Sequence, residues 1–456
     1  MNEDRFRYQK KPETEDRRNK PSKKSADAGQ RKARRKRKRI QSMLISFFTL
    51  AALVLVFLVL IHLTMNHIEK QDRGETASSI ESAAESVSLS VSESVHETPS
   101  PTPTPTAPPE EEDSFMVKTY GKWKYSTDET APEGDIVPVD YTVYSYEMLQ
   151  RDIYFLTRRY SEYCEAVSLD TTADGREILD VVIGNKDAEK DIIIQYTIHA
   201  REYINTQLGM CQLEALLKAF SAGESVNGLP LKEIFSDIRL HMIPMMNPDG
   251  VTLSQFGFDS VRSEELKSEL ITIWGRDNEL GKGDPDPLGY CSRWKANMRG
   301  VDLNRNFDVG WETTGGSANP SCTRYKGPTA ASEIETQALV KLAQNVNCIG
   351  QIAYHSEGNV VYWDYGTEGE LKEKDSSLAD VVSNITGYKK TSTIASEQNL
   401  GGCSDYFILK LGIPSITVET GDWYDWPGDY EGQWPTIYAE NIQVVPNLAA
   451  FFHGLS

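Results

Sequence analysis

Three side chains with metal-binding chemistry stand in two short stretches of this sequence: His199 and Glu202 in "IHARE", and His355 in "YHSEG". Two imidazoles and one carboxylate form a set that zinc accepts with one coordination position left for water. That is the arrangement of a catalytic rather than a structural site. Glu419, at the end of "SITVE", adds a carboxylate able to take a proton from water and return it to a leaving amine, as metal-assisted hydrolysis requires. "RGVDLNRNFD" adds Asn304 and Arg305, and an arginine is a permanently charged, forked donor suited to a carboxylate. Each signal alone is weak, since most strand-end histidines are satisfied structurally and Asn-Arg pairs occur in ordinary loops. Their combination is what points to hydrolysis.

Such residues need rigid elements to aim them. "DIIIQYTIHARE" and "CIGQIAYHSEG" are nearly continuous apolar runs ending at His199 and His355. Runs of this kind predict strands buried on both faces of an α/β sheet, and ligands bind in such sheets beyond the carboxyl ends of the strands. After the first comes "INTQLGMCQLEALLKAF", where Leu213, Leu216, Leu217 and Phe220 recur at helical spacing and predict a helix packed back on the sheet. Ile416 to Val418 predict a third buried strand that delivers Glu419. His241 also ends an apolar run, but no acidic residue follows three positions on, and it reads as structural, as does His453.

The 456 residues are 39% apolar and 25% charged, and the formal net charge of −19 is unevenly spread. Residues 1–40 hold 17 Lys or Arg against 6 Asp or Glu, leaving about −30 for the remainder. A basic head on an acidic body argues against a nucleic-acid-binding fold. The basic block runs into Met43–Met65, 23 residues without a formal charge. As a helix these would extend roughly 34 Å, enough to cross a bilayer. The run is longer than a signal-peptide core and lacks a cleavage site after it, so an uncleaved anchor is expected. Its basic side stays in the cytoplasm, which places the bulk of the chain outside a cell membrane in a single-pass topology. Residues 66–115 are Ser/Glu-rich and then Pro/Thr-rich, a composition that predicts a disordered, partly extended linker. The expected organisation is therefore 1–42 tail, 43–65 anchor, 66–115 linker and 116–456 catalytic domain. The six cysteines, at 164, 211, 291, 322, 348 and 403, contain no CxxC pair, which argues against a cysteine zinc ribbon. Outside the cell a disulfide is permitted, and Cys291 with Cys322 is the pair expected.

Together, "HARE", "NPDG" at 247–250, "DLNRNF", "HSEG" and the Glu419 strand, in that order over about residues 138–456, resemble the zinc metallocarboxypeptidases of the carboxypeptidase A type. Two His and one Glu are the established zinc ligands of carboxypeptidase A itself. The resemblance implies an α/β fold with a mixed, mostly eight-stranded sheet between helices, and one zinc ion held by His199, Glu202 and His355. It implies that Glu419 is the general base and Arg201 a substrate-binding arginine. Asn304 and Arg305 would grip the substrate's free C-terminal carboxylate.

Three positions depart from the family pattern. Lys295 follows Trp294 where the family has its oxyanion arginine, with Arg293 and Arg299 as alternative cations. Glu397 stands where the family's mobile tyrosine is expected. Ser404 takes the pocket-floor position, neither acidic nor large and apolar. "KANMRGVDLNRNF" is closer to bacterial members, some acting on peptidoglycan stem peptides, and this with the expected topology suggests a wall-peptide substrate. Two rival readings are an aspartoacylase-like amidohydrolase and a catalytically silent wall-peptide-binding protein.

Overall fold

The computed structural model describes residues 113–393, 400–422 and 430–455. The tail, the expected span at 43–65, nearly all of the linker and Glu397 lie outside them. Among the described residues no helix is long and apolar enough to cross a membrane.

Eight strands form one mixed sheet: β1 (Cys164–Thr171), β2 (Glu177–Gly184), β3 (Lys190–Tyr196), β4 (Ile238–Ile243), β5 (Cys348–His355), β6 (Val360–Asp364), β7 (Lys389–Ser392) and β8 (Ser415–Glu419). Their order across the sheet is β1-β2-β4-β3-β5-β8-β6-β7. The four central strands β4, β3, β5 and β8 run parallel to one another, and the antiparallel pairings lie toward the two sides. This is the mixed eight-stranded sheet that the resemblance implied.

Alternation along β3 shows how the layers form. Ile192, Ile194 and Tyr196 enter one core, with α1 (Tyr146–Arg159), α2 (Ile204–Ser221), α5 (Gly369–Thr386) and α7 (Val444–His453) packed over them. Ile193 points to the other face, where Leu339 and Leu342 of α4 (Ile334–Asn345) and Phe407 cover it. A continuous apolar run is what burial on both faces demands. The expected helix after His199 is α2, and its Leu213, Leu216 and Leu217 are buried as read.

The segment 253–290 adds structure of its own. It carries α3 (Glu264–Glu279), started by the Ser263 side chain accepting from the Leu266 N–H, with Leu266, Leu270 and Ile273 turned into a third, smaller core. Cys291 and Cys322 share that core, but no disulfide joins them, and all six cysteines are free thiols. The Cys291 thiol lies against the Phe258 main chain, whereas that of Cys322 sits with Tyr290, Ser321 and Asp277. Proximity in sequence pattern did not carry the bond geometry a disulfide needs.

Candidate active site

β3, β5 and β8 are neighbours, with Tyr196 paired to Tyr354 and Glu419 to His355, so their carboxyl ends open at one point of the sheet. The chain leaves β3 through Thr197, which adopts a left-handed backbone (φ 56°). That turn is followed by His199 and Glu202, while His355 is the last residue of β5. The His199 Nδ1 lies 2.9 Å from Glu202 Oε1, and the His355 Nδ1 3.0 Å from Glu202 Oε2. The two Nδ1 atoms face each other at 2.9 Å. All three side chains are buried, and their donor atoms lie within 4.8 Å of one another.

This arrangement fits a zinc ion. Two ring nitrogens pointed at each other cannot both be satisfied as neutral donors, and a carboxylate completes a converging set of the right chemistry. Burial alone would raise the Glu202 carboxyl, but His199 and His355 hold it well below the usual carboxylate range. Asp302 braces the site from behind, its Oδ1 3.2 Å from His199 Nε2. The Asp302 carboxyl is itself buried, yet the His199 bond, with Lys295 and Arg305, keeps it far below its ordinary value. A carboxylate on the far nitrogen of a metal-binding His fixes its ring and tautomer.

A second network ties the three strand ends together. Asn205 donates to Ser356 Oγ at 2.9 Å, Thr420 Oγ1 donates to Asn205 Oδ1 at 2.8 Å, and the Ser356 N–H reaches Glu202 Oε2 at 3.2 Å. Asn205, Ser356 and Thr420 are all buried. Tyr430, on α6 (Tyr430–Asn441), donates to the Arg201 carbonyl at 2.7 Å and so holds the loop carrying Arg201.

Glu419 is partly open to the cleft. Burial pushes its carboxyl up to about 7, with His355 opposing the rise and Glu202 adding to it. Lys295 enters the same space, its Nζ 3.9 Å from Glu202 Oε1, and it lowers the Glu419 carboxyl. Of the cations left open at this position, Lys295 approaches the ligand cluster, whereas Arg293 lies 4.0 Å from Asp284.

Asn304 and Arg305 flank the cleft on a short turn (Leu303–Arg305). The Asn304 carbonyl oxygen accepts from the Cys403 N–H at 2.8 Å, which leaves its amide N–H₂ as the donating end. Arg305 is steadied by Asp302, 3.8 Å away, and by the Gly315 carbonyl at 3.2 Å. Ser404 is buried and meets Thr417 Oγ1 at 2.9 Å, and Tyr365 reaches the same Thr417 oxygen at 3.1 Å. Ser404, Tyr365 and Thr417 thus form a cluster of hydroxyls. Beside it, burial lifts the Asp405 carboxyl to about 6 against the pull of the Gly402 N–H and Arg305.

The structure gathers His199, Glu202 and His355, with Lys295 and Glu419 acting on the same carboxylates and Arg305 joined to them through Asp302. His241 is elsewhere: it lies inside the sheet between Asp180 and Asp191, at 2.7 and 3.1 Å. His453 bonds Asp237 at 2.6 Å. Asp302, Asn205, Thr420, Tyr430 and Arg324 were not read from the sequence. Asp302 had a signal, an acid inside the quoted "VDLNRN"; the others gave none.

The zinc carboxypeptidase family model, Peptidase_M14, matches residues 149–431. The chain belongs to that family, whose members are zinc enzymes, and the aspartoacylase-like alternative falls away. It is 29% identical over 280 residues to a gamma-D-glutamyl-L-diamino acid endopeptidase 1 of Lysinibacillus sphaericus, covering 61% of this chain and 65% of that protein. To the mast cell carboxypeptidase A of Rattus norvegicus it is 26% identical over 235 residues, 51% of this chain and 50% of that protein. The chain thus spans between half and two thirds of these relatives. Bovine thrombin-activatable fibrinolysis inhibitor shares the fold, with a TM-score of 0.50 and 20% identity over 67% of this chain and 96% of that one.

Proposed function

We propose that the protein is a membrane-anchored zinc carboxypeptidase that removes a C-terminal residue from extracellular peptides, cell-wall stem peptides in particular. The observation that carries it is the convergence of His199, Glu202 and His355 with Glu419, Lys295 and the Asn304–Arg305 turn in one cleft. The wall substrate is supported by the named activity of the Lysinibacillus relative at a gamma-D-glutamyl–diamino acid bond. The anchor is supported by the charge-free run Met43–Met65 behind its basic block.

The residues divide the work as follows. Asn304 and Arg305 bind the terminal carboxylate, so the cut falls one residue from a free chain end. Arg201, held through its main chain by Tyr430, binds further along the peptide. Glu419 takes a proton from the attacking water and returns it to the leaving amine, a task suited to a carboxyl poised near neutrality. Lys295 stabilises the negative charge that builds on the carbonyl oxygen. Zinc, held by His199, Glu202 and His355, supplies Lewis acidity and acidifies water when bound. Ser404 shapes the pocket for the terminal side chain with a small polar floor.

The test uses the full chain in detergent, loaded with zinc, on muropeptides with intact stem peptides beside an ordinary peptide panel, with products read by mass. Loss of one C-terminal residue is expected. Glu419→Gln should lower the rate by roughly 10²–10⁴-fold, the usual worth of a positioned acid–base group, while retaining stoichiometric zinc. Stoichiometric zinc without cleavage of any substrate would leave a peptide-binding protein instead.

A further inference from the structure

Asp302 ties the Arg305 side chain and the main chain at Arg324 to one carboxylate. It is buried, 3% exposed. Arg305 Nε stands 3.8 Å from its Oδ2, the main-chain N–H of Arg324 donates to the same oxygen at 3.0 Å, and Lys295 acts on it as well. The Arg324 side chain is exposed. Burial makes the Arg305 guanidinium easier to deprotonate, Asp302 opposes this, and the like charge of Arg324 adds to it. Like charges that act on each other repel, and a further anion bound between them lowers that cost.

The loop gives up conformational preference to hold Arg324 there. Its backbone is left-handed, φ 67°. For a bulky residue that costs on the order of 1 kcal/mol, and it persists only where the surroundings over-determine it. They do: the Ser317 N–H donates to the Arg324 carbonyl at 2.8 Å. Gly316 faces that carbonyl so closely that a Cβ there would collide with the oxygen. From below, Asp277 fixes the same loop, accepting from Ser321 Oγ at 2.7 Å and from the Cys322 N–H at 3.2 Å.

We infer that Arg324 is a second carboxylate receptor beside the Asn304–Arg305 clamp, and that the cleft selects peptides bearing two carboxylates at the chain end. This rests on the carboxypeptidase reading and narrows its substrate class. The second carboxylate has two chemical sources. One is the side chain of an acidic terminal residue; the other is the free α-carboxylate that a γ-linked glutamyl residue keeps beside the scissile bond.

Isosteric substrate pairs separate the two: peptides ending in Glu or Gln, and peptides whose penultimate residue is γ-linked glutamate or γ-linked isoglutamine. With the zinc-loaded full chain, the acidic member of one pair should be favoured in kcat/KM by about tenfold or more, equivalent to about 1.4 kcal/mol. Arg324→Gln should bring that ratio to near unity, and Arg324→Lys should keep part of it because charge remains without the fork. Raising salt should shrink the wild-type ratio, because an exposed guanidinium is screened. Calorimetric binding of the same pairs to Glu419→Gln protein reads the receptor without turnover. An Arg324-dependent preference in binding without any hydrolysis would keep the receptor and sink the carboxypeptidase reading. Equal handling of both pairs by the wild type, or an unchanged ratio in Arg324→Gln, would overturn the inference.

Discussion

Asp302 shows how much one residue outside the ligand set can govern. Its Oδ1 faces His199 Nε2 and its Oδ2 faces Arg305 and the Arg324 main chain, so one buried carboxylate bridges the His–Glu–His cluster and Arg305. Replacing it by Asn keeps the shape but removes the charge. Zinc affinity of Asp302→Asn, read by chelator competition, should fall about 10–100-fold, the usual effect of losing such a partner. Unchanged affinity would mean that Asp302 serves the guanidinium side alone. The ligand cluster was legible in the sequence because His199 and His355 each follow an apolar run, with Glu202 three residues after the first. The supporting shell was not. Asn205, Ser356 and Thr420 are ordinary residue types whose roles exist only once three strand ends meet.

Among the elements, the central strands were legible because parallel strands buried on both faces must be apolar throughout. What the pattern could not show was the ionic cluster inside them. His241 on β4 lies between Asp180 on β2 and Asp191 on β3, and Arg239 on β4 completes the set at 2.7 Å from Asp191. An apolar run containing one histidine gives no sign of which charges face it across neighbouring strands. Burial disfavours the imidazolium, but Asp180 and Asp191 overcome it and push His241 up to about 9. Unfolded, the same group titrates at about 6.5. The folded value is the higher, so its contribution to stability is complete below about 6.5 and is lost as pH rises through about 9. Thermal midpoints of the wild type should therefore decline between those limits. His241→Gln should flatten that decline while lowering stability at neutral pH by on the order of 3 kcal/mol, since it strands buried carboxylates. A wild-type profile flat across this window would show the cluster to be neutral there. The Cys291–Cys322 expectation failed for a related reason: the shared core is real, but which way each thiol points depends on Phe258 and Tyr290, which lie on separate elements.

At the scale of the whole molecule the charge is divided, a basic segment at 1–40 and an acidic remainder, with the charge-free run 43–65 between them. This division makes a topology prediction that does not depend on catalysis. Positive residues next to a span resist translocation, whereas acidic ones have little say, so the block 31–39 rather than the acidic body should set orientation. In cells carrying the full chain with an N-terminal tag, the protein should sediment with membranes. Protease added outside should remove the 113–455 region and spare the tag. Replacing the Lys and Arg of 31–39 by neutral residues should weaken that bias and expose part of the tag. Soluble full-length protein, or a protected catalytic region in intact cells with the basic block in place, would refute the anchored topology. Neither outcome would alter the cleft itself, because every group in it is supplied by residues between 199 and 430.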